Sequence, residues 1–185
     1  LDIYTLENAH GIIISVGGQT PNNIAMDLAK NGVTILGTSS ENIDRAEDRH
    51  KFSKLLDDLK IDQPKWTEVE KIDDAIDFCN KVTYPVLIRP SYVLSGAAMK
   101  VAEDNNQLIS YLKQATKMSK DHPVVISKFI KGAKEIEIDA VADKGKVINY
   151  AISEHVENAG THSGDATVIF PAQKLYLETI KQIKK

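Results

Sequence analysis

Residues Lys134-Glu135-Ile136-Glu137-Ile138-Asp139-Ala140-Val141 alternate between charged and apolar without interruption. A period of two puts Ile136, Ile138 and Ala140 on one face of an extended chain and Glu135, Glu137 and Asp139 on the other. No helix buries such a pattern, so the run predicts a half-exposed β-strand. Three carboxylates along one strand face repel one another unless water or cations screen them. Asp143-Lys144-Gly145-Lys146 then reads as a hairpin turn, and Val147-Ile148-Asn149-Tyr150-Ala151-Ile152 as the returning strand. Val124–Ile130 leads in through a turn at Gly132, and Thr167-Val168-Ile169-Phe170 is a further strand, so this block is strand-rich.

The opening block has a different grammar. Gly11-Ile12-Ile13-Ile14-Ser15-Val16 is a continuous apolar run of the kind buried in a parallel sheet. Gly17-Gly18-Gln19-Thr20-Pro21 turns the chain, with Pro21 suited to the first turn of a helix. Ile24, Ala25, Leu28 and Ala29 give that helix an apolar face, Gly32 closes it, and Val33–Gly37 is the next strand. A second helix is expected from about Asn42, with Ala46, Phe52, Leu55, Leu56 and Leu59 towards its buried side. This is a Rossmann-like β-α-β half without the full GxGxxG pattern, and a tight strand-to-helix turn explains its glycines better than a dinucleotide site does.

Between these blocks, Ile72, Ala75, Ile76, Cys79 and Val82 recur at helical spacing, as do Leu108, Tyr111, Leu112, Ala115 and Met118. Tyr84–Pro90 and Lys100–Ala102 read as strands, which together with the helices predict a compact α+β lobe. A net charge of −3 with interspersed signs offers no electrostatic grip on nucleic acid. The single cysteine, Cys79, reads as core packing, and no apolar run is long enough for a membrane span. Neither end looks like a natural boundary, so a piece of a larger protein is expected.

The chemistry concentrates in Glu154-His155-Val156-Glu157-Asn158-Ala159-Gly160-Thr161-His162-Ser163-Gly164-Asp165. Its glycines permit close backbone approach to a ligand and its polar groups supply directional contacts. His155 and His162 are seven residues apart across a loop, which is no recognised zinc spacing; a positioning or phosphate-contacting role suits His162 better. Arg89 stands at a strand end before Pro90 and the small residues Ser95 and Gly96. It reads equally as a bidentate phosphate ligand or as a surface arginine beside a plain loop. Arg49 lies among Asp44, Arg45, Glu47 and Asp48, a pattern that is usually a solvated face. Lys128 and Ile130 lie on a strand whose backbone is placed to read an adenine edge, with Glu135 able to accept from ribose hydroxyls; the plain alternative is an ordinary half-exposed strand.

Four motifs occur in one order: Gly17-Gly18-Gln19-Thr20-Pro21-Asn22-Asn23, Ile43-Asp44-Arg45-Ala46-Glu47-Asp48-Arg49, Arg89-Pro90-Ser91-Tyr92-Val93-Leu94-Ser95-Gly96, and Glu154 to Asp165. Together they resemble the large subunit, or synthetase region, of carbamoyl-phosphate synthetase, over nearly the whole chain. Ser91–Ala97 and His155–Gly160 are similar to its second, carbamate-phosphorylating half. Ser95 and Val125–Ile130 resemble the eukaryotic pyrimidine-pathway versions.

The resemblance implies an α/β architecture: a Rossmann-like pre-ATP-grasp segment at 1–50, a small ATP-grasp α+β lobe with the phosphate loop at 51–123, and the first part of a larger antiparallel-sheet lobe at 124–185. It implies ATP with Mg²⁺ (or Mn²⁺), the metal ligands lying beyond this chain and none within it. It further implies carbamate as co-substrate, and the remaining synthetase domains with a glutaminase domain or subunit as partners. Nucleotide contacts carry over to Arg49, Arg89, Ser95, Gly96, Lys128, Ile130, Glu135, Gly160, Thr161, His162 and Ser163, with catalytic roles at Arg89 and His162. The isolated piece is expected to be inactive and its parent cytoplasmic, with a mitochondrial parent left open. Another ATP-grasp ligase of the biotin carboxylase type and a non-catalytic scaffold module are the alternatives.

Overall fold

The structure is a computed structural model and describes residues 1–90, 99–118, 124–161 and 165–184. The chain forms two compact units, Leu1–Phe129 and Ile130–Lys185.

The first unit begins with a short helix, α1 (Asp2–Leu6), followed by β1 (Ile12–Ile13), α2 (Gln19–Lys30) and β2 (Ile35–Leu36). Ile12 pairs with Ile35 and Ile13 with Leu36 in parallel, so the expected β-α-β half is present. Its turn needs both glycines: Gly18 has φ of 77°, and a Cβ on Gly17 would stand 2.5 Å from Pro21 Cγ. The paired part of the 11–16 run is shorter than expected. Ile14 packs with Ala25 and Ile43, but Ile13 and Val16 are exposed, because this sheet has only two strands and its helices cover the Ile14 side.

The helix expected from Asn42 is two helices, α3 (Ser40–Glu47) and α4 (Arg49–Asp58). Asp48 adopts an extended conformation (φ −78°, ψ 114°) between them, and its Oδ1 accepts from Lys51 N–H at 2.9 Å. It ends one helix and caps the next. That is the local preference of aspartate, whose short carboxylate satisfies the free N–H groups of a helix start. Ser39 caps α3 in the same way, accepting from Asn42 N–H at 3.3 Å.

Beyond α4 lie β3 (Trp66–Val69), α5 (Ile72–Val82), β4 (Val86–Pro90), β5 (Lys100–Ala102), α6 (Asn105–Met118) and β6 (Val124–Lys128). The four strands form one antiparallel sheet in the order β3-β6-β4-β5. β3 was not anticipated: Trp66-Thr67-Glu68-Val69 buries only Val69 fully, so it carries little periodic signal. Ala75 and Cys79 of α5 and Leu108, Leu112 and Ala115 of α6 pack on Val86, Ile88, Ala102, Val124 and Ile126. This is the main core of the unit. Burial raises the Cys79 thiol above its ordinary pKa, as fits a packing role.

The second unit is a three-stranded antiparallel sheet in the order β7 (Lys134–Asp143), β8 (Lys146–Asn158) and β9 (Val168–Ile169), with α7 (Leu177–Ile183) after it. The hairpin forms where the sequence places it, with Lys144 and Gly145 both at positive φ, the twist that tight hairpins favour. The β7–β8 register shifts between Lys134 and Ile136, since Lys134 faces Asn158 while Ile136 faces Glu154. The extra residues of β8 form a bulge opposite Glu135. Among the described residues no helix is long and apolar enough to cross a membrane.

Candidate functional site

In the first unit the structure brings Arg49 and Arg89 together. The break at Asp48 puts Arg49 at the first position of α4, and α4 approaches β6, the neighbour of β4 on which Arg89 lies. Arg89 is largely enclosed, and its Nε has no hydrogen-bond partner among the described residues. Burial, with the charge of Arg49 acting in the same direction, lowers its pKa to about 10. The structure thus places two cationic groups from separate elements near one another in a partly dry setting. The surrounding charged run is not a solvated face. Glu47 accepts from Gln19 Nε2 at 3.0 Å and from Asn22 Nδ2 at 2.7 Å, and Lys51 Nζ pairs with Asp44 Oδ2 at 2.6 Å.

Lys128 occupies the end of β6, and its ammonium is held by Thr83, through both carbonyl and hydroxyl, and by Tyr84. Nζ donates to the carbonyls of Thr83 at 3.1 Å and Tyr84 at 2.9 Å, while its backbone N–H donates to Lys65 O at 2.8 Å. A strand terminus held at three points is a rigid place from which to present backbone groups. Ser95 and Gly96 lie outside the described residues.

In the second unit Ile130 is exposed and Glu135 is half-buried on β7. Gly160, at φ 114°, follows Ala159, whose N–H donates to Ala133 O at 2.8 Å, and Thr161 bridges back to Ala159. His162 and Ser163 lie outside the described residues. The first half of the Glu154–Asp165 stretch is β8, and its acids hold structure together. Glu154, 0% exposed, accepts from the N–H groups of Gln173 and Lys174, both at 3.0 Å, and pairs with Lys134 Nζ at 3.1 Å. The Gln173 N–H, with smaller help from Lys134 and Lys174, lowers the Glu154 carboxyl below its ordinary pKa. Glu157 is lowered chiefly by the N–H of Thr167, at 2.8 Å.

His155 is the residue that sequence spacing undervalued. It is 1% exposed and faces two carboxylates across the strand pair: Nε2 is 3.3 Å from Glu137 Oε1, and Nδ1 is 3.9 Å from Glu135 Oε2. The alternation of β7 fixes the two glutamates on one face, but only the pairing with β8 supplies the imidazole between them.

Residues 48–185 match the family described as carbamoyl-phosphate synthase L chain, ATP binding domain, and residues 1–45 match the carbamoyl phosphate synthase preATP-grasp domain. The chain belongs to the carbamoyl-phosphate synthase L chain family. Within it, the chain is 58% identical over 185 residues to the multifunctional protein pyrABCN of Emericella nidulans, covering 100% of this chain and 8% of that protein. It is 61% identical over 171 residues to the arginine-specific large chain of carbamoyl phosphate synthase from Cutaneotrichosporon cutaneum, covering 92% of this chain and 14% of that one. The chain therefore spans only a small part of such relatives. D-alanyl-alanine synthetase A of Vibrio cholerae superposes with a TM-score of 0.73 at 17% identity, over 95% of this chain and 54% of that chain. That likeness establishes the expected ATP-grasp fold, and the carbamoyl-phosphate synthase match makes it an ATP-binding domain.

Proposed function

We propose that this chain is the nucleotide-binding part of a synthetase that transfers the γ-phosphoryl of ATP to carbamate, giving carbamoyl phosphate and ADP. The observation that carries this reading is the pair Arg49–Arg89, two cations drawn together in a partly dry setting. In the reaction a carbamate oxygen attacks the γ-phosphorus in line, an O–P bond forms, and the bond to the β-phosphate oxygen breaks. Arg89, together with Arg49, neutralises charge on the nucleotide phosphates and on the transferred group. Ser95 and Gly96 close over the phosphates, and Gly160, Thr161, His162 and Ser163 contact the nucleotide and the phosphoryl group, His162 at the reacting end. Lys128 and Ile130 frame the adenine, and Glu135 accepts from ribose hydroxyls. These roles rest on the family motifs.

Mg²⁺ (or Mn²⁺) accompanies the nucleotide in this reading. The acidic cluster at Glu135 and Glu137 includes a buried imidazole where Mg²⁺ takes oxygens, so it does not fit that ion and no step is routed through it. The parent works in the cytoplasm, in pyrimidine or arginine synthesis, with the other synthetase domains and a glutaminase as partners.

Calorimetric titration of the chain with ATP and Mg²⁺, on wild type and Arg89→Ala, tests the reading. Saturable binding that weakens roughly tenfold or more in the variant supports it. Equal, negligible heats from both would leave the chain a scaffold module.

A further inference from the structure

Arg49 and His50 are consecutive residues in the first turn of α4, and they serve different strands of the sheet beneath it. Arg49 acts on Arg89 of β4, whereas Nδ1 of His50 contacts Oε2 of Glu68 on β3. We propose that the His50–Glu68 pair holds Arg49 beside Arg89 for capture of a phosphate chain, which makes His50 and Glu68 positioning residues of the nucleotide site. The proposal rests on the reading of Arg49 and Arg89 as phosphate contacts.

Strand register creates the arrangement. β6 lies between β3 and β4, and its Val125 pairs with Glu68 on one side and with Arg89 on the other. Residues directly opposite one another in antiparallel strands share a face, so Glu68, Val125 and Arg89 form one row, its ends roughly 10 Å apart. Val86, Ile88, Val124 and Ile126 point the other way, into the core with α5 and α6. Val125 is fully buried yet stands apart from that core, because α4 packs over β6 on the opposite side. The start of α4 therefore straddles the row. Arg49 and His50, about 100° apart around the helix, reach its two ends.

The chemistry suits a hinge pin. A carboxylate only accepts, so His50 meets Glu68 as a donor through Nδ1. Trp66, on the same face of β3, meets the imidazole edge to face, with ring centroids 5.6 Å apart and planes at 82°. A ring gripped by a carboxylate and an indole has one orientation, and that fixes the main chain of Arg49 next to it. Such a hold is needed because repulsion from Arg89 pushes the start of α4 outward when no anion is bound. The far end of α4 is anchored separately. Trp66 Nε1 donates to Asp57 Oδ2 at 3.0 Å, and Gln63 Nε2 donates to Asp57 Oδ1 at 2.6 Å and to Ser53 O at 2.7 Å. His50 and Glu68 are both half-buried, so their pair adds little to stability. What it sets is the aim of the first turn.

The test titrates the full chain with inorganic tripolyphosphate by calorimetry, with ATP and Mg²⁺ as competitor and urea denaturation alongside. His50→Ala and Glu68→Ala each weaken tripolyphosphate binding roughly fivefold or more, with little change in the urea midpoint. His50→Asn, whose amide donates from the position of Nδ1, restores most of the affinity. In an Arg49→Met background His50→Ala has no further effect, because the side chain it positions is gone. Asp57→Ala, about two turns along α4, does the reverse: it lowers the urea midpoint and leaves the affinity unchanged. If His50→Ala fails to fold, Glu68→Ala with and without Arg49→Met decides. Wild-type affinity in the alanine variants, or an equal loss when Arg49 is absent, would overturn the proposal and leave the nucleotide reading standing. Tripolyphosphate binding that depends on His50 but is not displaced by ATP would support the proposal and sink the nucleotide reading. A wild-type chain that binds no tripolyphosphate would overturn both.

Discussion

Arg49 and Arg89 come from separate elements of the first unit, α4 and β4, yet the charge of Arg49 adds to burial in depressing the pKa of Arg89. Like charges held together in a folded protein are a standing cost that a bound anion removes.

The first prediction follows from that cost. Phosphate or sulfate raises the melting temperature of the chain, and Arg89→Met abolishes the rise without lowering the anion-free melting temperature. An anion that binds only the folded state adds about 1.4 kcal/mol at ten times its dissociation constant. Differential scanning calorimetry with and without phosphate reads both effects. A lower anion-free melting temperature for Arg89→Met would show that packing of the arginine stem outweighs the repulsion.

Asp48 gives the second. Asp48→Ala loses the cap on α4 and lowers stability by about 1 kcal/mol. It also weakens ATP binding, because Arg49 begins the helix that Asp48 caps. Ser39→Ala is the comparison, since it removes the cap of α3 with a similar loss of stability and leaves nucleotide affinity unchanged. Urea denaturation and calorimetry together check the pair.

The third concerns Thr83, a β-branched residue at φ 63°, ψ 156°, a conformation that favours glycine. Thr83→Gly relieves strain of roughly 1–3 kcal/mol against about 0.5–1 kcal/mol of added chain entropy, so a net gain of about 1 kcal/mol is expected. The carbonyls that receive the Lys128 ammonium are main-chain groups and survive the change. A higher urea midpoint is the result to look for; a lower one would mean that the hydroxyl's bonds, to Val82 O and from the Lys128 ammonium, dominate.

Acid provides the fourth. Glu154 and Glu157 both have folded pKa values below the ordinary 4.5, because backbone N–H groups and, for Glu154, Lys134 favour the ionised form. Their stabilising effect is complete above 4.5 and is lost as pH falls through the lowered values. Melting temperatures of the chain should therefore fall with acidification below that point. Glu154→Gln should flatten the dependence and lower stability at neutral pH, where Lys134 loses its partner. A Glu154→Gln profile parallel to wild type would assign the acid sensitivity elsewhere.

The residues best read from sequence were those whose signal is local. The alternation of Lys134–Val141, the Lys144-Gly145 turn and the glycine–proline turn at Gly17–Pro21 each state their own conformation, and all three take it. The break at Asp48 escaped notice because a single aspartate inside a charged, helix-forming run has neither glycine nor proline to mark it. β3 escaped because a four-residue edge strand with one fully buried side chain hardly differs from a loop. The closeness of His155 to Glu137 depends on cross-strand pairing through a register shift, and spacing along one chain holds no trace of that.

Asp48 also limits how this protein can change over evolutionary time. Because one residue both finishes α3 and opens α4, the joint has no slack in which an insertion or deletion could be absorbed. One added residue would turn α4 by about 100° about its axis and swing Arg49 away from Arg89. A change of length at this joint separates the pair even where every side chain around it is kept.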